Sequence, residues 1–274
     1  MVLYRGMSRA ALDAAYNNRA AVPRYEAIVA QRRQRSAEVR RNTAGRLDLR
    51  YGERARQRLD FFPASNANAP VFAYIHGGYW QSTEKESSTY LIEGPLAHGV
   101  AVALIEYTIA PEAGMDEIVA EIRSAIDWLA MHARELGGDP ACLYVGGHSA
   151  GGHLAAMTLD KEIAGVLCIS GLFELEPIRL GSLNDNIDMS EASAERNSPL
   201  LHVPTQAPPL IVAVGALELP ELVRQSADYV AMLQKHGLPA RYLPIDGRDH
   251  FTVLDELASP DGVLCAALLD LVAA

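Results

Sequence analysis

The sequence predicts an α/β fold, with a mostly parallel sheet of about eight strands covered by helices on both faces. Short, continuous apolar runs alternate along the chain with segments whose apolar residues recur at helical spacing. Strands that are buried on both faces and joined by helices are typical of parallel sheets. The hydrophobic content of 49% is enough for a large core. We therefore predict a single domain over residues 1–274.

The first part of the chain is predicted to be helical and to lead into two strands. Ser8 can cap one helix and a second helix follows Pro23, giving an N-terminal helical segment over 1–44. Polar and apolar residues then alternate over 46–51 and 58–62. This period of two indicates antiparallel strands at the edge of the sheet, with one face in solvent.

The rest of the chain alternates between buried strands and helices, with one interruption. Strands are predicted at 71–75, 100–105, 141–145, 165–169, 210–214 and 240–245. Helices are predicted at 118–129, 150–160, 221–236 and 253–272. The interruption, residues 171–208, is rich in Asn, Ser, Glu and Pro. A structureless connection of this length is unusual, so we predict a small helical cap above the strand ends where ligands bind.

The charge distribution limits the classes of partner. The net charge of −10 argues against nucleic acid as the main partner. Residues 1–60 nevertheless contain many arginines and no lysine. This segment could be a basic arm for RNA or a membrane, or it could pack on the acidic body of its own domain or of a sister subunit. We favour packing, which leaves a homodimer open, and we expect a small-molecule substrate with no nucleic-acid or membrane partner.

The cysteines and the chain start predict a soluble cytoplasmic protein. Cys142, Cys168 and Cys265 lie in apolar runs and are expected to be buried free thiols. Residues 1–5 do not resemble a secretory signal, and no apolar run is long enough to span a bilayer.

His148 and His153 could be considered as a pair of metal ligands. They are five residues apart, which does not place them on one helix face. We expect no metal and no cofactor.

The segment 147–151 reads G-H-S-A-G and fits the G-x-S-x-G pattern of a nucleophile elbow. A strand is predicted before it and a helix after it, which is the context that the pattern requires. A serine on such a turn has a strained backbone, and glycines let the neighbouring backbones approach closely. We predict that Ser149 is a catalytic nucleophile.

A serine nucleophile needs a base and an acid that orients the base. His250 follows the last predicted strand, and the chain order serine, acid, histidine is that of an α/β-hydrolase. The acid is expected after the preceding strand, where Glu218 and Glu221 both lie. We prefer Glu218 because it stands directly at the strand end, and Glu221 remains the alternative.

The oxyanion of an acyl-transfer reaction needs N–H donors near the nucleophile. Residues 76–80 read H-G-G-Y-W and follow the strand 71–75. The backbone N–H groups of Gly77, Gly78 and Ala150 are the candidate donors. The substrate is expected to contact the side chains that border this loop and the elbow, namely Tyr79, Trp80, His148 and Asn18.

With these motifs assembled, the sequence resembles the kynurenine formamidase (arylformamidase) family, in the hormone-sensitive-lipase-like branch of the α/β-hydrolases. The segments that carry the resemblance are H-G-G-Y-W-Q-S at 76–82, G-H-S-A-G-G-H-L at 147–154, S-A-E-R-N-S-P at 193–199, P-E-L-V-R-Q-S at 220–226 and D-H-F at 249–251. The resemblance also includes Y-N-N at 16–18 and so spans nearly the whole chain. One departure is Glu218, where the family usually has aspartate.

The resemblance implies a serine hydrolase that cleaves the C–N bond of an N-formyl arylamine such as N-formyl-L-kynurenine. The products would be formate and the free arylamine, formed through a formyl-enzyme on Ser149. The same machinery would also suit a carboxylesterase or amidase that acts on small acyl or aryl esters. A third alternative is a non-catalytic binding protein on a hydrolase fold.

Overall fold

A computed structural model of the protein describes residues 2–274, so Met1 of the predicted domain lies outside the described residues. Eight strands form one sheet. They are β1 (Arg46–Arg50), β2 (Arg58–Phe62), β3 (Ala69–Ile75), β4 (Ala101–Ile105), β5 (Gly138–His148), β6 (Gly165–Ile169), β7 (Leu210–Gly215) and β8 (Ala240–Ile245). Their order across the sheet is β1-β2-β4-β3-β5-β6-β7-β8. Each predicted strand is therefore present.

The sheet is parallel except at its first edge. β1 pairs with β2, and β2 with β4, in antiparallel fashion. From β4 through β3 to β8 all neighbouring strands are parallel. This confirms the predicted architecture of a mostly parallel sheet with antiparallel N-terminal strands. Because β5 and its neighbours run in one direction, the residues that follow them collect at one edge of the sheet.

Helices cover the sheet and form the N-terminal segment. They are α1 (Arg9–Ala15), α2 (Asn18–Ala21), α3 (Tyr25–Asn42), α4 (Glu93–Ala97), α5 (Met115–His132), α6 (Ala150–Ala156), α7 (Glu176–Arg179), α8 (Asn184–Ile187), α9 (Glu191–Arg196), α10 (Pro220–Lys235), α11 (Asp255–Ala258) and α12 (Val263–Val272). Short 3₁₀ helices span Lys85–Ile92, Ala133–Leu136, Pro199–Leu201 and Thr252–Leu254. Within residues 2–274, no helix is both long and apolar enough to traverse a bilayer.

Two apolar cores lie on opposite faces of the sheet. Along β3 the side chains alternate, so Val71 and Ile75 belong to one core and Phe72 and Tyr74 to the other. The first core also contains the apolar face of α5, and the second contains that of α12. This two-sided burial explains why the central strands are continuous apolar runs rather than alternating patterns.

The last helix differs from the prediction. The segment 253–272 was expected to be one helix, but it is divided into α11 and α12. Ser259 has an extended backbone with ψ of 130°, as expected for a residue before proline. Pro260 has no N–H to continue the helical hydrogen bonds, and Gly262 then caps α12. Apolar spacing across the break concealed this interruption.

Within residues 2–274, seven of the fourteen arginines of the first sixty residues pair with carboxylates of the same chain. The ion pairs include Arg9 with Asp185, Arg32 with Asp255, Arg35 with Glu93, Arg54 with Glu117 and Arg56 with Glu106. These pairs support the interpretation that the arginine-rich segment packs on its own acidic body.

The insertion at 171–208 contains α7, α8 and α9. It is fastened to the body of the fold near the start of α5, because Arg196 and Asn197 both bind the carboxylate of Asp116. It also binds the N-terminal segment, where the Asp13 carboxylate accepts a hydrogen bond from the backbone N–H of Ser182. Its role as a cap over a ligand stays a prediction.

Candidate active site

Ser149 stands on a sharp turn between β5 and α6. Its backbone has φ of 57° and ψ of −119°, a conformation that L-residues rarely adopt. The strand before it ends at His148 and the helix after it begins at Ala150. Its N–H donates to the carbonyl of Ile169 at 2.8 Å, which ties the turn to β6. This is the strand, strained serine and helix that the sequence pattern predicts.

The glycines at both ends of the pattern are required by close backbone approach. A Cβ on Gly147 would lie 2.4 Å from the carbonyl oxygen of Gly151 and 2.6 Å from that of Ile75. A Cβ on Gly151 would lie 2.0 Å from the same Ile75 oxygen. The turn can therefore pack against the end of β3 only without side chains at these positions.

We expect Gly151→Ala to lower the free energy of unfolding by about 3 kcal/mol, because the atoms it meets belong to the backbone of β3. Urea denaturation followed by circular dichroism measures this change. Gly114→Ala is the matched control, since a Cβ there has its nearest neighbour at 3.9 Å and φ is −78°. Its effect should stay below about 1 kcal/mol. An equal decrease in the free energy of unfolding in Gly151→Ala and Gly114→Ala would contradict the packing argument.

The structure brings His250 and Glu218 together. His250 Nδ1 lies 2.6 Å from Glu218 Oε2, and both side chains are buried. A carboxylate only accepts hydrogen bonds, so Nδ1 carries the proton and Nε2 is left with a free lone pair. The other carboxylate oxygen, Oε1, accepts from the Ser170 hydroxyl at 2.5 Å and from the Gly215 N–H at 2.8 Å. The carboxylate is thereby fixed in one orientation.

Glu221, the alternative acid, lies in a different network. Its carboxylate pairs with Arg224 at 2.8 Å and accepts a hydrogen bond from the Tyr16 hydroxyl at 3.1 Å. Burial opposes ionisation, but Arg224 and Tyr16 lower the pKa of Glu221. The carboxylate next to His250 is therefore that of Glu218.

His148 supports the loop that carries His250. Its Nε2 donates to the backbone carbonyl of His250 at 2.7 Å, and the two imidazole rings lie 4.5 Å apart. Burial, followed by the nearby His250, lowers the pKa of His148 well below its ordinary value. Because His148 directly precedes Ser149, this neutral, buried ring holds the His250 loop beside the nucleophile elbow. Its expected contact with substrate stays a prediction.

The loop at 76–80 lies against the elbow. A Cβ on Gly77 would be 2.7 Å from the carbonyl oxygen of His148 and 3.1 Å from Ser149 Cβ. Gly78 has φ of 107°, and a Cβ there would be 2.2 Å from the Ser82 carbonyl oxygen. Both positions therefore demand glycine, and the loop backbone is adjacent to the serine side chain. The role of Gly77, Gly78 and Ala150 as oxyanion donors stays a prediction.

His76, the first residue of this loop, is held in place by Glu106 and Tyr107. Its Nε2 lies 2.9 Å from Glu106 Oε1, and its ring stacks on Tyr107 at 4.4 Å. Burial alone would raise the pKa of Glu106, but His76 and Arg56 together with backbone N–H donors hold it at about 2. An ionised Glu106 thus anchors the first residue of the loop.

Trp80 anchors the far end of the loop. Its indole is fully buried, with 0% of its surface exposed, and Nε1 donates to His153 Nδ1 at 3.2 Å. His153 Nε2 in turn donates to the carbonyl of Asn197 in the insertion at 2.7 Å. Burial lowers the pKa of His153 to about 4, so the ring is neutral at pH 7. The Trp80 indole thus packs inside the fold, and its expected contact with substrate stays a prediction.

Tyr79 and Asn18 meet between the loop and the N-terminal segment. The Tyr79 hydroxyl donates to the carbonyl of Tyr16 at 2.7 Å and accepts from Asn18 Nδ2 at 3.2 Å. Tyr16 is held in turn by Gln225 Nε2, which donates to its hydroxyl at 2.9 Å. The N-terminal segment therefore closes over the loop, and only 4% of the surface of Ser149 and of His250 is exposed.

Ser170 and His153 are residues that sequence reasoning did not assign. Ser170 has φ of 52° and follows β6, so its position at a strand end was a usable signal. His153 was considered only as a metal ligand and rejected. Its link to Trp80 and Asn197 joins residues distant in the sequence, and no local pattern encodes such a contact.

These features place the chain among the α/β-hydrolases. A family model described as BD-FAE matches residues 59–163. The chain is 32% identical to the kynurenine formamidase of Danio rerio, over 82% of this chain and 81% of that protein. It is 34% identical to the kynurenine formamidase of Salmo salar, over 81% and 80%. The chain belongs to the kynurenine formamidase family.

A solved structure agrees with this assignment of the fold. The crystal structure of a candidate thioesterase from Silicibacter sp. TM1040 superposes with a TM-score of 0.86 at 29% identity. The match covers 94% of this chain and 98% of that chain. At this coverage the likeness extends beyond the sheet.

Proposed function

We propose that the protein hydrolyses the C–N bond of an N-formyl arylamine such as N-formyl-L-kynurenine, releasing formate and the free arylamine. The observation that carries the hydrolytic part is the hydrogen bond of 2.6 Å between His250 and Glu218, on a loop fastened beside Ser149. The formamide part rests on the kynurenine formamidases, which align with this chain over about four-fifths of its length.

The first half of the proposed reaction transfers the formyl group to Ser149. His250 Nε2 removes the proton of Ser149 Oγ as that oxygen attacks the formyl carbon. The N–H groups of Gly77, Gly78 and Ala150 stabilise the oxyanion. The C–N bond then breaks, the amine nitrogen takes the proton from His250, and a formyl ester remains on Ser149.

The second half hydrolyses the formyl ester. A water molecule attacks the ester carbon while His250 Nε2 removes its proton. The bond to Ser149 Oγ breaks, the proton returns from His250 to that oxygen, and formic acid leaves and releases its proton to solvent as formate. Glu218 stays ionised throughout and stabilises the imidazolium that forms twice in the cycle.

The enclosure of the site supports a small acyl group. Tyr79 and the N-terminal segment cover the loop next to Ser149, and little of the serine is exposed. Formyl has only a hydrogen on its carbonyl carbon, so it needs the least room beside Gly77. The arylamine half would then lie on the side of the Tyr79 ring.

Steady-state kinetics with N-formyl-L-kynurenine and p-nitrophenyl acetate test the proposal. We expect turnover of the formamide, and a kcat/KM for formanilide that exceeds that for acetanilide by about 100-fold, in line with discrimination by one methylene. The two anilides share a leaving group and differ only in the acyl group. An enzyme that hydrolyses the ester but not the formamide would instead be a carboxylesterase, and comparable rates for both anilides would contradict a formyl-sized site.

A further inference from the structure

Asn18 is a buried side chain with one polar atom left unpaired. Only 4% of its surface is exposed, and among residues 2–274 its Oδ1 has no hydrogen-bond partner. Its Nδ2 donates to the Tyr79 hydroxyl at 3.2 Å. A buried acceptor without a partner is unusual in folded proteins and calls for a specific cause.

The hydrogen bonds around Tyr79 determine which Asn18 atom is free. The Tyr79 hydroxyl has a single proton, and it donates that proton to the carbonyl of Tyr16 at 2.7 Å. The hydroxyl can therefore only accept from Asn18, so the amide nitrogen must face it and the amide oxygen must point elsewhere. The unpaired atom is consequently an acceptor, and its natural complement is an N–H or O–H donor.

Asn18 is linked through Tyr79 to the loop of the candidate active site. Tyr79 directly follows Gly78 in the loop that touches Ser149. Burial, and then the nearby charge of Glu218, raise the pKa of the Tyr79 phenol. Asn18 itself lies on the N-terminal segment that covers the loop.

We infer that Asn18 is a specificity-determining residue whose Oδ1 accepts a hydrogen bond from an N–H group in the leaving-group half of the substrate. This inference rests on the proposed function, because it assumes that the leaving group is an amine. A formamide carries an N–H at the scissile bond, whereas an ester with the same groups has oxygen there. An ester would leave the buried oxygen of Asn18 unpaired, and a site built for a donor rejects analogues that lack it.

The same acceptor could serve either of two N–H donors on such a substrate. One is the N–H of the scissile formamide, and the other is an ammonium group farther along the leaving group, as in N-formyl-L-kynurenine. Both groups are N–H donors, and the ammonium differs in carrying a charge. Two matched substrate pairs separate them: formanilide with phenyl formate, and N-formyl-L-kynurenine with its analogue lacking the α-amino group.

The test compares kcat/KM for both pairs in wild type and in Asn18→Leu, which keeps the branched shape and removes the polar atoms. Within each pair, the preference is the kcat/KM of the substrate that bears the N–H divided by that of its partner. We expect this ratio to fall by at least about 10-fold in the variant for one of the two pairs. The substrate without the donor should change by less than about 2-fold. Spontaneous hydrolysis of phenyl formate is subtracted, and Asn18→Ala provides a second variant if leucine is not accommodated.

Asn17→Ala is the matched control. Asn17 is the exposed neighbour that caps α2 through the N–H of Ala20, so this change perturbs the same segment without touching the acceptor. Its substrate preferences should equal those of wild type. The inference would be overturned if Asn18→Leu lowered kcat/KM equally for all four substrates, or lowered it for none of them. Failure of the wild-type protein to hydrolyse formanilide and N-formyl-L-kynurenine would instead refute the proposed function.

Discussion

Replacing Ser149 with alanine should lower kcat for every substrate by at least about 10⁴-fold, with little change in stability. The hydroxyl is the only atom group removed, and the strained backbone at φ of 57° affects alanine and serine alike. The Ser149 N–H still donates to Ile169, so the turn keeps its anchor. Turnover of N-formyl-L-kynurenine and the melting temperature measure the two quantities separately.

The matched control for this change is Ser124→Ala. Ser124 lies on the exposed surface of α5, where its hydroxyl donates to the carbonyl of Ala120 within the same helix. Its loss should leave kcat unchanged within about 2-fold. Wild-type activity in Ser149→Ala would remove the elbow from the mechanism. A wild-type protein with no activity on formamides or esters would favour the non-catalytic alternative.

The sheet could be predicted strand by strand because a strand that is buried on both faces is apolar at nearly every position. Each central strand is a short apolar run. The expected solvent face of the N-terminal pair was wrong: β1 is largely exposed on both faces, whereas β2 is buried on both because it lies between β1 and β4. The 3₁₀ helix at Lys85–Ile92 was not predicted, and its fully buried Lys85 shows why. That ammonium group is paired with Asp48 at 2.9 Å and Asp60 at 3.0 Å. Such compensation depends on tertiary contacts, which periodicity does not encode.

The candidate site was recognisable only where its chemistry is local in sequence. The elbow and the loop at 76–80 are contiguous patterns, so Ser149 and Gly77 could be proposed from spacing alone. The coverage of the site by the N-terminal segment could not be predicted, because it depends on tertiary contacts such as that between Tyr79 and Tyr16. Trp80 illustrates the same limit: an aromatic residue beside an active-site loop can line a pocket or support the loop, and only its contacts distinguish these roles.

The choice between Glu218 and Glu221 was also open in the sequence, since both follow β7 closely. Position along the chain is a weak guide because the backbone after a strand end turns sharply. In the structure the N–H of Glu218 donates to the carbonyl of Gly215, forming a tight turn. That turn directs the Glu218 carboxylate back toward His250, while Glu221 lies in the first turn of α10 and faces Arg224.

Glu218→Gln should therefore lower kcat by about 10⁴-fold, and Glu221→Gln by less than about 10-fold. In Glu218→Gln, Ser170 and the Gly215 N–H both donate to the Oε1 position, so the amide oxygen must take that place. The amide nitrogen then faces His250 Nδ1, which can only accept from it. The imidazole proton moves to Nε2, and the lone pair that should deprotonate Ser149 is lost.

The kcat values of the two glutamine variants on N-formyl-L-kynurenine, measured beside their melting temperatures, check this argument. Both changes replace a carboxylate with an amide of the same shape, so each is the control for the other. Glu221→Gln weakens the ion pair with Arg224 and the contact with Tyr16, which should affect stability more than the chemical step. A larger loss of kcat in Glu221→Gln would assign the acid to the other carboxylate. A small loss in both would mean that His250 keeps its reactive tautomer without Glu218, because its orientation would then be set by the loop that His148 holds.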